Sequence, residues 1–209
     1  MRLLDFNALR QSLELEYIGP DLAQSADKEH LSLLSEDLQY RIWRDVTKGL
    51  EYIHSMNIIH RDIKPQNILL GQGNRGAVIC DFGISAQIHT QPKVYFGGTP
   101  CYIPPKYIDG HSRGKEADIW AFGVTMLFVF RRIALPRDHW TIAAVFEDSA
   151  TRQKMETWLY HIQQTLKVVP KTLTPIHAML AEEPRDRITA AALVDHSLLQ
   201  RSRPYLLPA

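Results

Sequence analysis

His60-Arg61-Asp62-Ile63-Lys64-Pro65-Gln66-Asn67, followed after a short gap by Asp81-Phe82-Gly83, is the part of this sequence that decides its fold. Two carboxylates, an amide and a lysine at this spacing can bring together a hard cation, a phosphate chain and a hydroxyl nucleophile. Asp62 is the candidate for orienting a hydroxyl and accepting its proton. Lys64 projects from the same loop, where its ammonium can meet a phosphate. Asn67 and Asp81 both offer oxygen ligands, which suit an ion such as Mg²⁺. Arg61 is placed to pair with a phosphate or a carboxylate from the loop that follows.

Working outward, Ile68-Leu69-Leu70 and Ala77-Val78-Ile79-Cys80 are apolar runs separated by Gly71-Gln72-Gly73-Asn74-Arg75-Gly76. They predict a hairpin that brings Asn67 and Asp81 side by side. Upstream, Leu38, Ile42, Val46, Leu50 and Ile53 recur at helical spacing, with Glu36 and Asp37 in the first turn, so a helix should run from Ser35 to about His54. It delivers the chain into an Ile58-Ile59 strand. Ser12 to Ile18 alternates apolar and acidic residues and reads as a strand that stops at Gly19-Pro20, with Arg2 to Phe6 as its hairpin partner. Residues 84 to 105 show no periodicity and read as an ordered loop. Beyond residue 115 the pattern is helical, with breaks expected at Pro136, Pro170, Pro175 and Pro184. Ile119 to Phe130 is apolar throughout but too short to span a bilayer, and suits a helix buried on all sides.

The bulk properties narrow the class. The chain has 209 residues, 45% of them hydrophobic and 22% charged, which excludes wholesale disorder and fits one domain or one large lobe with a remnant. A formal net charge of +1 gives no electrostatic reason to expect a nucleic acid or a membrane surface as partner. Cys80 and Cys101 are too few for a disulfide framework, so a reduced chain in the cytoplasm, or in the nucleus, is expected.

Taken together, these motifs resemble the eukaryotic protein kinase family from residue 12 to about residue 200. Gly98-Thr99-Pro100-Cys101-Tyr102-Ile103 resembles its substrate-binding loop, Asp118-Ile119-Trp120-Ala121-Phe122-Gly123 the start of its central helix, and Arg187 its late large-lobe arginine. Lys64 with Thr99 fits the serine/threonine branch, and Asp81 to Gln87 is similar to the Ste20-like and MAP-kinase-kinase groups. The resemblance implies an α+β, mainly helical protein-kinase-like fold: residues 1–18 a small-lobe remnant of two strands and hinge, residues 19–209 the large lobe. It implies catalytic roles for Asp62, Lys64 and Thr99, with Thr99 hydrogen-bonded to Asp62 and Lys64. Glu16 and Ile18 would offer backbone groups to the adenine of ATP, with Lys64, Asn67 and Leu69 completing the nucleotide site. Asn67 and Asp81 would hold Mg²⁺. His60 would pack beneath Phe82, and a protein would be the substrate or partner.

Two departures and one decoy qualify that reading. Gly71 to Val78 matches a kinase glycine-loop pattern as written, but lies after the catalytic loop and precedes a strand, so its glycines are expected to serve a turn. Before Ser12 the basic residues are Arg2 and Arg10, neither in a Val-Ala-Ile-Lys-like setting, and no glycine loop or pairing helical glutamate precedes them. Phosphoryl transfer by these residues alone is therefore expected to be weak or absent. The alternatives are a non-catalytic pseudokinase module, or an incomplete kinase fragment. Leu3, Leu4, Leu13 and Leu15 would then form an exposed edge suited to self-association or a partner protein. Lys106 stands where the family has the glutamate of Ala-Pro-Glu, which normally pairs with the arginine corresponding to Arg187. Two like charges 4 Å apart repel by about 1 kcal/mol in water and about 4 kcal/mol at an effective dielectric of 20. Lys106 should therefore turn outward or recruit Glu182 or Glu183, leaving the substrate loop less firmly anchored. Ser85, Thr90 and Tyr95 read as unmodified loop residues, and Cys80 as a small packed one. Met155, Trp158, Leu159, Ile162 and Leu166 read as a buried helical stripe.

Overall fold

The computed structural model describes residues 2–10, 12–73, 76–88, 97–108, 114–136 and 140–195. Its first long helix, α1 (Glu36–Ser55), begins where Ser35 accepts a hydrogen bond from the Leu38 amide, with Glu36 and Asp37 beside the positive helix terminus. Ile42, Trp43, Val46, Leu50 and Ile53 form its buried face, as their spacing predicts. At the other end of the core, α3 (Lys115–Val129) is buried at every position from Ala117 to Val129. A helix apolar on all sides can only be stable with neighbours all round, and α3 has them. Trp43 of α1 lies 5.9 Å from Phe122, ring to ring, and α6 (Thr174–Met179) also packs against α3, with Met179 over Gly123. Removing the Phe122 ring would cost about 3–5 kcal/mol.

Around this pair stand α2 (Pro105–Ile108), α4 (Ile142–Glu147), α5 (Ser149–Val168) and α7 (Ala190–Val194). Met155, Leu159 and Ile162 are the buried side of α5, with Trp158 and Leu166 packed partly against the core. The helical pattern breaks between Val168 and Thr174, as expected beside Pro170, and the next helix opens around Pro175. Pro175 sits in the first turn of α6, where a missing amide hydrogen leaves no bond unmade. Among the described residues no helix is long and apolar enough to cross a membrane.

The strands are short and come in antiparallel pairs. β1 (Leu3–Asn7) pairs with β2 (Ser12–Leu15), in register Leu3 with Leu15 and Phe6 with Leu13. Pairing ends earlier than the alternation suggests, with the Glu16 amide donating to the Arg2 carbonyl as the last rung. Every described residue of this hairpin is exposed, including Leu3, Leu4, Phe6, Leu13 and Leu15. β4 (Ile68–Leu70) pairs with β5 (Ala77–Ile79) as expected, and Gly73 and Gly76 between them hold φ of +62° and +68°. The glycine pattern is thus a turn device rather than a phosphate cradle.

The stretch from 84 to 105 is not all loop. Ala86–Gln87 forms a strand, β6, against β3 (Ile58–Ile59), and Pro105 opens α2. Two residues are too few to carry a period, and β6 exists because Ile58 and Ile59 lie opposite it. The Ile88 amide extends the pairing onto the Asn57 carbonyl.

Candidate active site

The loop from His60 to Asn67 leaves β3 with Arg61 in the left-handed region, at φ 71°. Such a conformation costs on the order of 1–3 kcal/mol in a side chain of this size and persists only where surroundings enforce it. Asp118, in the first turn of α3 and only 1% exposed, enforces it. One of its carboxylate oxygens accepts the Arg61 amide at 2.8 Å; the other accepts the His60 amide at 2.8 Å and His54 Nε2 at 3.0 Å. The His60 ring meets Phe82 edge-on at 4.8 Å, as expected. Its Nδ1 accepts the Asp62 amide at 3.3 Å, which leaves Nε2–H to donate to the Cys80 carbonyl at 2.9 Å.

Held from behind in this way, Asp62 is surrounded by donors. Thr99 Oγ1 donates to Asp62 Oδ1 at 2.7 Å, and Lys64 Nζ lies 2.7 Å from both Asp62 Oδ2 and Thr99 Oγ1. Asn67 Nδ2 donates to Asp62 Oδ2 at 3.0 Å and to its carbonyl at 2.8 Å. Burial pushes the Asp62 carboxyl up, but the bond from Lys64, those from Thr99 and Asn67, and the Lys64 charge outweigh it and hold it below the usual carboxylate range. Tyr102, fully enclosed nearby, is pushed up by burial and stays protonated.

The Asn67 amide is oriented by giving its NH₂ to Asp62, so Oδ1 remains its acceptor. The Cys80 amide bonds the Asn67 carbonyl at 2.9 Å, which continues the β4–β5 register by one rung and puts Asp81 immediately beyond the residue opposite Asn67. Asp81 is exposed, at φ 61°, with Oδ1 accepting the Gly83 amide at 3.2 Å. An amide oxygen and one exposed carboxylate are a donor set that fits Mg²⁺, which usually takes one or two protein oxygens and completes its shell from phosphates and water. Among the described residues no cluster of three or more His, Cys, Asp or Glu could hold a metal by itself.

The expected base-binding residues are placed differently from one another. The Glu16 amide donates to the Arg2 carbonyl at 2.8 Å, at the point where the hairpin passes into the chain leading to Ile18. Ile18 is buried, and the chain beyond it lies along β4: the Leu70 amide bonds the Pro20 carbonyl at 2.8 Å and Asp21 bridges to Leu69. Any Cβ on Gly19 would stand 2.0 Å from the Leu70 carbonyl oxygen, so only glycine permits this approach.

Lys106 has recruited acids as its charge demands, Glu183 at 3.1 Å and Glu182 at 4.0 Å. Arg187 is buried and turned to carbonyls instead: Ala181 and Glu182 at 2.8 Å each, Glu116 at 3.3 Å. Its guanidinium also lies 5.1 Å from the Trp120 ring centroid, and burial pulls it down to about 10. Ser85 bonds the Phe82 carbonyl at 2.7 Å, while Thr90 and Tyr95 lie outside the described residues. Cys80 is half-buried, and burial together with the charges of Asp81 and Asp21 pushes its thiol up.

Asp118 and His54 are the functional residues that sequence reasoning missed. Asp118 was visible as part of a motif, but its partners are backbone amides 57 and 58 positions away, which leave no side-chain signal. Trp158 is a further case: its Nε1 donates to the Cys101 carbonyl at 2.7 Å and tethers the loop that carries Thr99.

Comparison with known proteins gives a consistent result. A sequence model of the protein kinase domain matches residues 6–199. The chain is 37% identical over 123 residues to MAP kinase kinase MKK1/SSP32 of Saccharomyces cerevisiae, covering 56% of this chain and 23% of that protein. It is 31% identical to serine/threonine-protein kinase dst1 of Dictyostelium discoideum, covering 91% of this chain and 25% of the relative. Mitogen-activated protein kinase kinase kinase 17 of Arabidopsis thaliana is 32% identical, with 94% and 53% covered. The chain thus spans from about a quarter to about half the length of these relatives.

Proposed function

The chain belongs to the eukaryotic serine/threonine protein kinase family, and from that premise we propose that its site supports Mg²⁺-ATP-dependent phosphoryl transfer to a protein hydroxyl. The observation that carries the reading is the Asp62 carboxylate held between Lys64, Thr99 and Asn67. Asp62 is ionised at neutral pH, so it can accept the proton of a serine or threonine hydroxyl as that oxygen attacks. Thr99 and Asn67 fix the carboxylate plane, which sets the direction from which the hydroxyl approaches. Lys64 keeps donor capacity beyond its two partners and can meet a phosphate oxygen beside Asp62. Asn67 Oδ1 and the Asp81 carboxylate would hold Mg²⁺, which when bound neutralises charge on the phosphate oxygens. Ile18, Gly19 and Leu69 would form the wall against the base.

Nucleotide binding tests this directly. A ligand at about 100 times its Kd stabilises a protein by about 2.7 kcal/mol, or roughly 5–10 °C for a domain of this size. Mg²⁺-ATP should raise Tm by that order, and Asp81→Ala should abolish the rise. No rise in the unaltered chain would refute the reading.

The exposed β1–β2 hairpin supports a second reading, a non-catalytic module that pairs with another protein or a second copy. An isolated two-stranded hairpin is marginal in water, so its apolar side chains favour cover. Sedimentation at rising concentration, with Phe6→Glu/Leu13→Glu as comparison, tests the second copy. A monomer at every concentration would refute self-association.

A further inference from the structure

We propose that Trp158 is a positioning residue for the reaction proposed above: its indole N–H holds the loop that carries Thr99, and through Thr99 it sets the orientation of the Asp62 carboxylate. The inference rests on Asp62 being the group that receives the hydroxyl. Thr99 opens the 3₁₀ turn Pro100–Tyr102, and at the start of a helical turn a threonine hydroxyl ordinarily accepts an amide of the turn itself. Here it makes no such bond. It donates instead to Asp62 Oδ1 and accepts from Lys64 Nζ, both at 2.7 Å, across 37 and 35 residues of chain. The placing of that hydroxyl is therefore decided by what holds the turn.

Inside the turn, two carbonyls are met by backbone. Thr99 accepts the Tyr102 amide at 3.0 Å and Pro100 accepts the Ile103 amide at 3.1 Å. The series stops there, because Ile103 passes into extended backbone and residue 104 is a proline with no N–H to give. The next carbonyl belongs to Cys101, a residue only 4% exposed, and it accepts Trp158 Nε1–H at 2.7 Å. A buried carbonyl is costly to leave without a donor, so this bond favours one placing of the turn. Burial of Pro100, Cys101 and Tyr102 sets how deep the turn sits, but apolar contact is non-directional, and the indole bond sets its rotation. The base from which Trp158 reaches is firm. α5 starts where Asp148 accepts the Ala150 and Thr151 amides, and it buries Met155, Leu159 and Ile162. The His161 ring lies 5.7 Å from the indole. Further along the loop, Lys106 makes partly exposed ion pairs and Arg187 is turned to carbonyls. Close to Asp62, the loop is thus tied by a neutral bond from α5, two residues from Thr99.

Trp158→Phe keeps an aromatic ring in the packing and removes the donor. NMR of the isotope-labelled chain, without nucleotide, reads the effect at two places. Three-bond couplings to the Thr99 methyl carbon report its side-chain rotamer, and the Asn67 NH₂, which donates to Asp62 Oδ2 at 3.0 Å, reports the carboxylate. Trp158→Phe should move the Thr99 couplings from those of one staggered rotamer towards an average. It should also shift the Asn67 NH₂ signals by at least half the shift that Thr99→Val produces. Adding Trp158→Phe to Thr99→Val should shift Asn67 no further, because the path runs through the hydroxyl already removed. Met155→Ala weakens α5 without touching the bond, so it should lower Tm and leave both signals in place. Thr99→Val also gives a reading with Trp158 intact: with the tie to Asp62 gone, the Trp158 indole proton should exchange several-fold faster. Unmoved Thr99 and Asn67 signals in Trp158→Phe, additive shifts in the double variant, the same shifts in Met155→Ala, or unchanged indole exchange in Thr99→Val overturns the proposal. Failure of Mg²⁺-ATP to bind refutes the reaction and leaves these readings as they are.

Discussion

Replacing Asp118 by asparagine removes one acceptor oxygen from a buried group that serves three donors. The Arg61 amide, the His60 amide and His54 Nε2 all converge on that carboxylate within 3.0 Å. Whichever way the amide is turned, an NH₂ must face one of these N–H groups. A hydrogen bond to a charged group contributes about 1.5–3 kcal/mol, and a buried donor left unsatisfied costs about 1–3 kcal/mol more. Arg61, at φ 71°, also loses the contact that holds it there. The expected loss is about 3–5 kcal/mol, or a fall in Tm of roughly 6–20 °C at this chain length. Calorimetry gives the stability and amide hydrogen exchange gives the location: protection at His60 and Arg61 should fall more than in the middle of α3. A fall in Tm below about 2 °C, or exchange unchanged at Arg61, would refute the argument that Asp118 braces the catalytic loop.

Asp62 titrates with a folded-state pKa below its unfolded one, so its contribution is present above about pH 4 and is lost as pH falls through the depressed value. Urea midpoints measured from pH 5 to pH 2 should therefore fall less steeply in Asp62→Asn; identical slopes would contradict this. Lys106→Ala breaks pairs that are partly exposed, so it should change stability by less than about 1 kcal/mol, with the difference vanishing in high salt. A larger, salt-independent loss in a thermal melt would show that the loop anchor is a buried one. Cys80, with its thiol pushed up, should react with iodoacetamide at pH 7 more slowly than free cysteine and accelerate steadily with pH. A rate above that of free cysteine would contradict the assignment.

Much of this molecule was legible where a side-chain pattern repeats. The α1 boundaries follow from Ser35, Glu36 and Asp37 and from the apolar spacing behind them. The turn at Gly73 and Gly76 follows from its position between two apolar runs. Lys106 found Glu183 because an ammonium beside an arginine has few other choices. Features carried by backbone were not legible. β6 is two residues long and defined by the strand opposite, so nothing local marks it. Asp118 reads as one more polar residue at a helix start until the His60 and Arg61 amides come to it from the far side of the core. The Glu16 amide is likewise claimed by Arg2, a partner set by the hairpin register.

The carbonyl-bound Arg187 has an evolutionary consequence. In the family pattern one acid–base pair makes the substrate loop and the helical core a single mutational unit, in which neither partner can change without the other. Here Arg187 answers to main-chain oxygens and Lys106 to surface acids. Glu182 is common to both, its carbonyl on Arg187 and its carboxylate facing Lys106, so loop and core are joined through one intervening residue instead of a direct pair. A main-chain carbonyl is present whatever the side chain, so position 182 can change its charge without withdrawing the oxygen that holds Arg187.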